Sequence, residues 1–219
     1  MTFDFSKEEA DKYVWEYFAR KSGIKDQAKL ARLQKTAYRY KDTAGIQIDL
    51  KAAVTEAAGF AVNDGRLVIE GRDMGDIGIR DDDAGKIEKV YAYVLCAGKF
   101  ETDIDPITDG FADLWGNAYC DVCHRLVKEK LAALGKAGMM VSPPFGPGFF
   151  GMGMENLPQI MELAGADRIG VSFTGNYMLP LKSCAGFFFT SKTPLNLPAK
   201  DCASCTGSRL SCSYCRNYS

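Results

Sequence analysis

The spacing of hydrophobic and polar positions changes several times along the 219 residues, and each change predicts an element. Ser6 followed by Glu8 and Glu9 reads as a capped helix start, and Tyr13, Trp15, Tyr17 and Phe18 extend an aromatic helix to a stop at Gly23. Leu30, Leu33, Ala37 and Tyr40 recur at helical spacing and predict a second helix over 26–40. Lys29, Arg32, Lys35 and Arg39 fall on its other side. That basic stripe reads as a solvated face, with docking to an acidic protein as the functional alternative. Residues 50–60 predict a short helix, 66–70 a strand and 75–80 an irregular strand, followed by a turn over 81–85. The carboxylates Asp81, Asp82 and Asp83 lack the later ligands of a calcium loop and read as solvent-facing.

Residues 90–96 form the clearest strand, with β-favouring side chains on both faces as a buried central strand requires; Cys96 reads there as a small core residue. Asp105-Pro106 opens a long helix to about Leu134, because Phe111, Trp115, Ala118, Val122 and Leu126 make one apolar stripe. Asn117, Asp121, His124 and Lys128 recur at steps of four, three and four on another face, which aligns their polar groups. Taken alone, that line reads as an exposed polar face. Cys120 and Cys123 lie inside the helix and read as packing, not as a redox pair. A short helix over 155–164, a strand over 169–174, a turn at Gly175-Asn176 and a strand over 183–190 complete the pattern.

Composition narrows the function classes. At 47% hydrophobic content the chain can bury a substantial core without help from its cysteines. Twenty-seven basic residues against 28 acidic ones leave no global field for nucleic acid or an anionic membrane. The N-terminal residues lack the basic start and apolar run of a signal peptide, and no stretch approaches the length of a membrane span. A cytoplasmic location is expected, where thiols stay reduced.

Two segments carry candidate chemistry. Cys202, Cys205, Cys212 and Cys215 stand in the pattern Cys-x2-Cys-x6-Cys-x2-Cys, so two chelate pairs supply the four thiolates that zinc or a 4Fe-4S cluster requires. Two disulfides are the competing reading, which a reducing compartment disfavours. Compact spacing tips the metal slightly toward iron–sulfur, because structural zinc usually joins its knuckles by a longer loop. The second segment, residues 142–154, is too rich in glycine and proline for a regular element and too aromatic for a linker. Its prolines restrict the loop while its glycines admit a close ligand, so it reads equally as a rigid surface for a flat partner and as a crossover filled by Phe145, Phe149 and Phe150.

Three ordered segments then give the chain a recognisable character: Ser142-Pro143-Pro144-Phe145-Gly146-Pro147-Gly148-Phe149-Phe150-Gly151-Met152, Ile169-Gly170-Val171-Ser172-Phe173-Thr174-Gly175-Asn176-Tyr177-Met178-Leu179-Pro180, and Ser183-Cys184-Ala185-Gly186-Phe187-Phe188-Phe189. Together with the helix around Ala118 to Arg125, they resemble the activation (reactivation) domain of vitamin B12-dependent methionine synthase, and more closely the small free-standing activators of corrinoid proteins. The similarity covers roughly residues 90–190. It implies an α+β fold, a twisted and mainly antiparallel sheet flanked by helices, followed by a cysteine-rich metal-binding tail. The corresponding division is an N-terminal segment over 1–88, an activation-domain-like core over 89–195 and the tail over 196–219.

The family's task is repair of a cobalamin whose Co(I) has been oxidised to inert Co(II). The resemblance therefore implies a corrinoid protein or cobalamin-dependent methyltransferase as partner, cobalamin presented by that partner, and an external electron donor. In the free-standing branch iron–sulfur centres deliver the electron, and the terminal cysteines suit that branch. Asp121 matches an acidic residue near the family's S-adenosylmethionine site, and Phe145 falls where the methionine synthase domain has a tyrosine facing the corrin. Ser142, Pro143, Gly146, Pro147, Gly148, Phe149, Tyr177 and Phe188 complete the implied cofactor-facing set. Met140, however, replaces an arginine of the adenosylmethionine loop, and Phe188 stands where that branch has a tyrosine. Methionine cannot pair bidentately with a carboxylate, which speaks against adenosylmethionine as a ligand.

No corrinoid-binding Asp-x-His-x-x-Gly, Walker A or Gly-x-Ser-x-Gly sequence occurs. The competing functions are a non-catalytic, zinc-stabilised binding module on the same fold, and a protein that binds adenosylmethionine or a corrinoid without electron transfer.

Overall fold

A computed structural model describes residues 1–77, 79, 81–135, 138–147 and 152–195. It is α+β, with an antiparallel sheet and flanking helices. Three strands run between two short edge strands. The edge strands are β1 (Thr2–Phe5) and, late in the chain, β7 (Met140–Val141); between them lie β2 (Gln47–Glu56), β6 (Ile87–Lys99) and β10 (Ser183–Ser191), in the order β1-β2-β6-β10-β7. Contacts divide the chain into two compact units.

The first unit comprises Met1–Ala53, Leu95–Val127 and Ala166–Cys184. Ser6 caps α1 (Lys7–Asp11) through a capping box with Glu9, and Gly23 closes α2 (Val14–Ser22) in the left-handed conformation, so the two ends stand where the sequence signals predict, while the single helix expected between them is broken at Lys12 and Tyr13. Asp26 caps α3 (Gln27–Thr43), accepting from the Lys29 amide at 2.8 Å. Lys29, Arg32, Lys35 and Arg39 are all exposed on it, which agrees with a solvated basic face. The long helix α5 (Pro106–Leu134) begins at the predicted proline and contributes about its first six turns to this unit.

An aromatic cluster holds these helices together. Trp115 of α5 lies 4.3 Å from Phe18 of α2 and 5.1 Å from Tyr38 of α3, while Phe111 stacks on Tyr40 at 4.5 Å. The Trp115 indole Nε1 donates to the Ala37 carbonyl at 3.0 Å, so burial leaves its one polar atom satisfied. Trp115 and Phe18 are fully buried. Rings of this kind bury about 150–250 Å² each, a gross hydrophobic gain of roughly 4–6 kcal/mol at about 25 cal/mol/Å².

The second unit comprises Val54–Val94, Lys128–Gly165 and the described residues from Ala185 onward. Its meander β3 (Phe60–Asn63), β4 (Arg66–Ile69) and β5 (Arg72–Asp76) is a separate antiparallel sheet whose second hairpin carries a bulge at Leu67/Val68. Helix α6 (Leu157–Ala164) buries the predicted Leu157, Ile160, Met161 and Ala164 and ends at Gly165 in the left-handed region.

Four expectations are corrected. Residues 50–60 are mostly strand: β2 runs to Glu56 and pairs antiparallel with β1, Leu50 opposite Phe5 and Ala53 opposite Thr2. Alanine-rich composition favours a helix locally, but Ala52, Ala53 and Val54 are fully buried on both faces, as in a central strand. The turn over 81–85 is a one-turn helix, α4 (Asp81–Ala84), and Asp83 is buried, 2.6 Å from Lys86 Nζ. The strand at 75–80 ends at Asp76. The strand at 169–174 shrinks to β8 (Ser172–Phe173), preceded by a 3-10 turn at Ala166–Ile169 and paired with β9 (Met178–Leu179).

Candidate functional site

The loop after β7 is fastened to β10 at Ser142 and at Phe145. The Ser142 amide donates to the Phe189 carbonyl at 2.8 Å, the Phe189 amide donates back to Ser142 Oγ at 2.9 Å, and Phe145 bridges Phe187 through the reciprocal amide bonds at 2.9 and 2.6 Å. Ser142 Oγ also donates to the Pro143 carbonyl at 2.7 Å. Glycine is required where the two backbones meet: a Cβ on Gly186 would overlap the Phe145 carbonyl, and one on Gly146 would overlap that of Ala185. Two of the three segments that carry the family resemblance are thus one strand-like pair.

This pairing decides which loop residues are accessible. Phe145 is 2% exposed, its ring 6.1 Å from Phe189, and Phe188 is fully buried with its ring 4.7 Å from Tyr93. Both are core side chains. Phe145 packs behind the loop toward Phe189 and Phe188 packs toward Tyr93, while Pro143 is exposed and Pro144 and Pro147 are half-buried. Gly148 and Phe149 lie outside the described residues, as do Cys202, Cys205, Cys212 and Cys215.

The third segment belongs to the first unit. Thr174 and Tyr177 close the β8–β9 turn, the Thr174 amide donating to the Tyr177 carbonyl at 3.0 Å, and the Tyr177 ring is 51% exposed. The chain then passes through Pro180, whose preceding peptide bond is cis, into β10. Asp121 is half-exposed on α5 and pairs with Lys21 of α2 at 2.8 Å. Asn117 accepts from Lys182 Nζ at 3.1 Å and donates to Asp113 at 2.9 Å.

His124 departs from the exposed polar face that the spacing suggests, being 8% exposed. Burial of α5 on most of its circumference overrides the surface pattern. Lys128 feels the same environment, its ammonium pKa lowered by desolvation.

Cys96, Cys120 and Cys123 are buried and Cys184 is partly exposed, and these four are not in disulfides. Contact with Cys184, then burial, pushes the Cys120 thiol well up, and burial does the same for Cys123. These are packing thiols, as the sequence reading of Cys96, Cys120 and Cys123 expects. Among the described residues no group of three or more His, Cys, Asp or Glu is arranged to hold a metal ion. The donor set of the terminal quartet, four thiolates in two chelate pairs, fits a cluster or zinc by its chemistry.

No protein-family model and no curated protein matches the chain. Among the described residues no helix is long and apolar enough to cross a membrane. Sequence reasoning missed Lys182, which anchors to Asp113 and Asn117 on α5. No local pattern marks a lysine whose partners lie more than sixty residues earlier in the chain.

Proposed function

We propose that the protein is a reductive activator of a corrinoid protein, assisting the one-electron reduction of Co(II) to Co(I) on a cobalamin that its partner carries. The observation that carries this reading is the pairing of the loop with β10, which makes one rigid platform from two of the resemblance-bearing segments. Pro143, with Pro144 and Pro147 beside it, forms the accessible side of that platform, while Phe145 supports it from the core. A surface poor in flexible side chains loses little entropy when a flat ring packs on it.

Cys202, Cys205, Cys212 and Cys215 hold an iron–sulfur cluster in this reading. Such a cluster accepts one electron from an external donor and passes it on, matching the single electron that Co(II) needs. S-adenosylmethionine has no role, since Met140 on β7 offers its carboxylate no bidentate partner.

Anaerobic purification followed by iron, sulfide and zinc analysis tests the relay, and loss of the Co(II) electron-spin signal on mixing with a corrinoid protein and a reductant tests the activity. Iron with acid-labile sulfide, abolished by replacing the four cysteines with serine, is the expected result. Stoichiometric zinc in a colourless protein would replace the relay with a zinc-stabilised binding module.

A further inference from the structure

A cleft in the first unit stands apart from the platform just described. It encloses about 300 Å³ between the segment that joins β6 to α5 and the segment that joins β9 to β10. Glu101, Asp103, Asp109 and Asp113 line it together with Phe100, Leu181 and the single cation Lys182. Four carboxylates against one ammonium leave 4 − 1 = 3 net negative charges there, in a chain whose total charge is only −1. Lys182 is committed to Asp113 and Asn117, and its stem lies flat on α5 because Gly116 has no side chain; a Cβ there would stand 2.7 Å from it.

Exposed apolar side chains stand on these segments and on the elements they join: Leu181 lines the cleft, Ile104 follows Asp103, Ile107 is in the first turn of α5, and Leu179 and Tyr177 are in β9 and the turn before it. Ile104 and Ile107 are about 60% exposed (59% and 61%), and Leu181, Leu179 and Tyr177 are 48%, 42% and 51% exposed. They account for five of the nine large hydrophobic residues that are exposed among the described residues. Scattered exposed apolar residues are ordinary, but an exposed leucine set among four carboxylates in one cleft suits a contact surface.

We propose that this cleft docks a segment of a partner protein that is both basic and apolar, an arginine or lysine entering between the carboxylates while neighbouring aliphatic side chains cover Leu181 and Ile104. Charge complementarity selects this occupant: the acidic rim repels phosphate, nucleic acid and acidic peptides, and the Lys182 ammonium inside the cleft opposes a free divalent cation. The basic face of α3 on a second copy is a poorer match, because Lys29, Arg32, Lys35 and Arg39 come without an exposed large apolar neighbour; self-association through another face is decided by sedimentation. The inference does not depend on the corrinoid reading, since it involves neither the platform nor the terminal cysteines.

Fluorescence anisotropy with the full-length protein tests it, using three labelled hexapeptides: alternating arginine and leucine, arginine alone, and alternating glutamate and leucine. The mixed basic peptide should bind about tenfold more tightly than hexa-arginine, a difference of roughly 1.4 kcal/mol, and the glutamate peptide should not bind. Asp103→Asn with Asp109→Asn should weaken the mixed peptide about fivefold, and Leu181→Ser should weaken it without changing hexa-arginine binding. The double variant Glu8→Gln with Asp42→Asn, which removes the same charge from exposed sites elsewhere in the unit, should change nothing. Equal affinity for the two basic peptides, or equal loss in the two double variants, would reduce the cleft to a general negative field and overturn the proposal. Sedimentation showing self-association that the Leu181→Ser variant abolishes would overturn it in favour of a second copy. Should the Asp103/Asp109 variant fail to fold, Leu181→Ser alone decides.

Discussion

Lys41 and Asp11 form an ion pair in which only one partner keeps much contact with water: Nζ lies 3.0 Å from Oδ1, with the lysine side chain 6% exposed and the aspartate 39%. The ammonium also sits 4.9 Å from the Trp115 ring centroid and 5.0 Å from that of Tyr119, so α1, α3 and α5 converge on one desolvated charge.

The asymmetry of exposure predicts an asymmetry of mutation. Asp11→Asn leaves a buried ammonium with an amide oxygen and aromatic faces but no counter-charge, whereas Lys41→Met leaves a carboxylate that still reaches solvent and the Tyr119 hydroxyl. Asp11→Asn should cost about 2–3 kcal/mol and Lys41→Met about 1 kcal/mol or less, scaled down from a fully buried pair because Asp11 is part-exposed. Urea unfolding of the two variants checks the order. Equal losses would mean that the ammonium is better solvated than its burial implies.

Tyr119 extends the same network into a pH dependence. Its hydroxyl donates to Asp11 at 2.5 Å, and burial followed by that hydrogen bond raises its pKa far above the ordinary phenol value. The folded state therefore retains a proton that the unfolded chain releases above about pH 10. Stability is complete below that pH and falls above it, by about 1.4 kcal/mol per pH unit for this one group. Tyr119→Phe should be less stable at neutral pH, by about 1–2 kcal/mol, yet its stability should decline less steeply between pH 10 and 11. Parallel alkaline limbs in the two proteins would contradict the assignment.

Asp105 gives the opposite limb. It accepts from the Ile107 and Thr108 amides at 2.9 and 3.0 Å and from Thr108 Oγ1 at 2.5 Å, and these bonds, the Thr108 hydroxyl first, hold its carboxyl below the usual range. A lowered folded pKa stabilises above the unfolded value of about 3.9 and is lost as the pH falls through the folded one. Asp105→Ala should therefore melt below wild type at pH 7, and the gap should narrow toward pH 3. A gap that stays constant into acid would show that the carboxylate charge is not what caps α5.

Elements with strong local grammar are the ones the sequence predicts well. Ser6, Gly23, Asp26 and Pro106 each fix a helix end through a backbone requirement that no distant contact alters. β2 fails for the converse reason. Its alanines have no strand preference, and only the pairing of Leu50 with Phe5 and the burial of both faces make it a strand. The same distinction governs the candidate sites. The glycines of the loop announce close backbone approach, but that the approach is to β10, so that Phe145 points into the core, is tertiary information. The acidic cleft had no motif, because its carboxylates come from a loop and the first two turns of α5 and gain meaning only beside Leu181 and Lys182.

The loop pairing separates a structural from a functional role within five residues. Phe145→Ala empties a site that is 2% exposed and removes the ring beside Phe189, which should cost about 3–5 kcal/mol and lower the melting temperature by roughly 6–20 °C. Gly186→Ala should be at least as damaging, because its Cβ meets the Phe145 carbonyl and neither paired backbone can give way without breaking the reciprocal amide bonds. Either variant would lose the proposed activator function through loss of the platform, so neither tests the proposed contact with a corrin. Pro143→Ser does: the residue is exposed, so melting should shift by no more than about 2 °C, while corrinoid-protein binding or the rate of Co(II) loss should fall if this side of the loop meets the ring. Unchanged Co(II) reduction in a stable Pro143→Ser protein, alongside a destabilised Phe145→Ala protein, would leave the loop as a structural brace of β10 and move the cobalamin contact elsewhere.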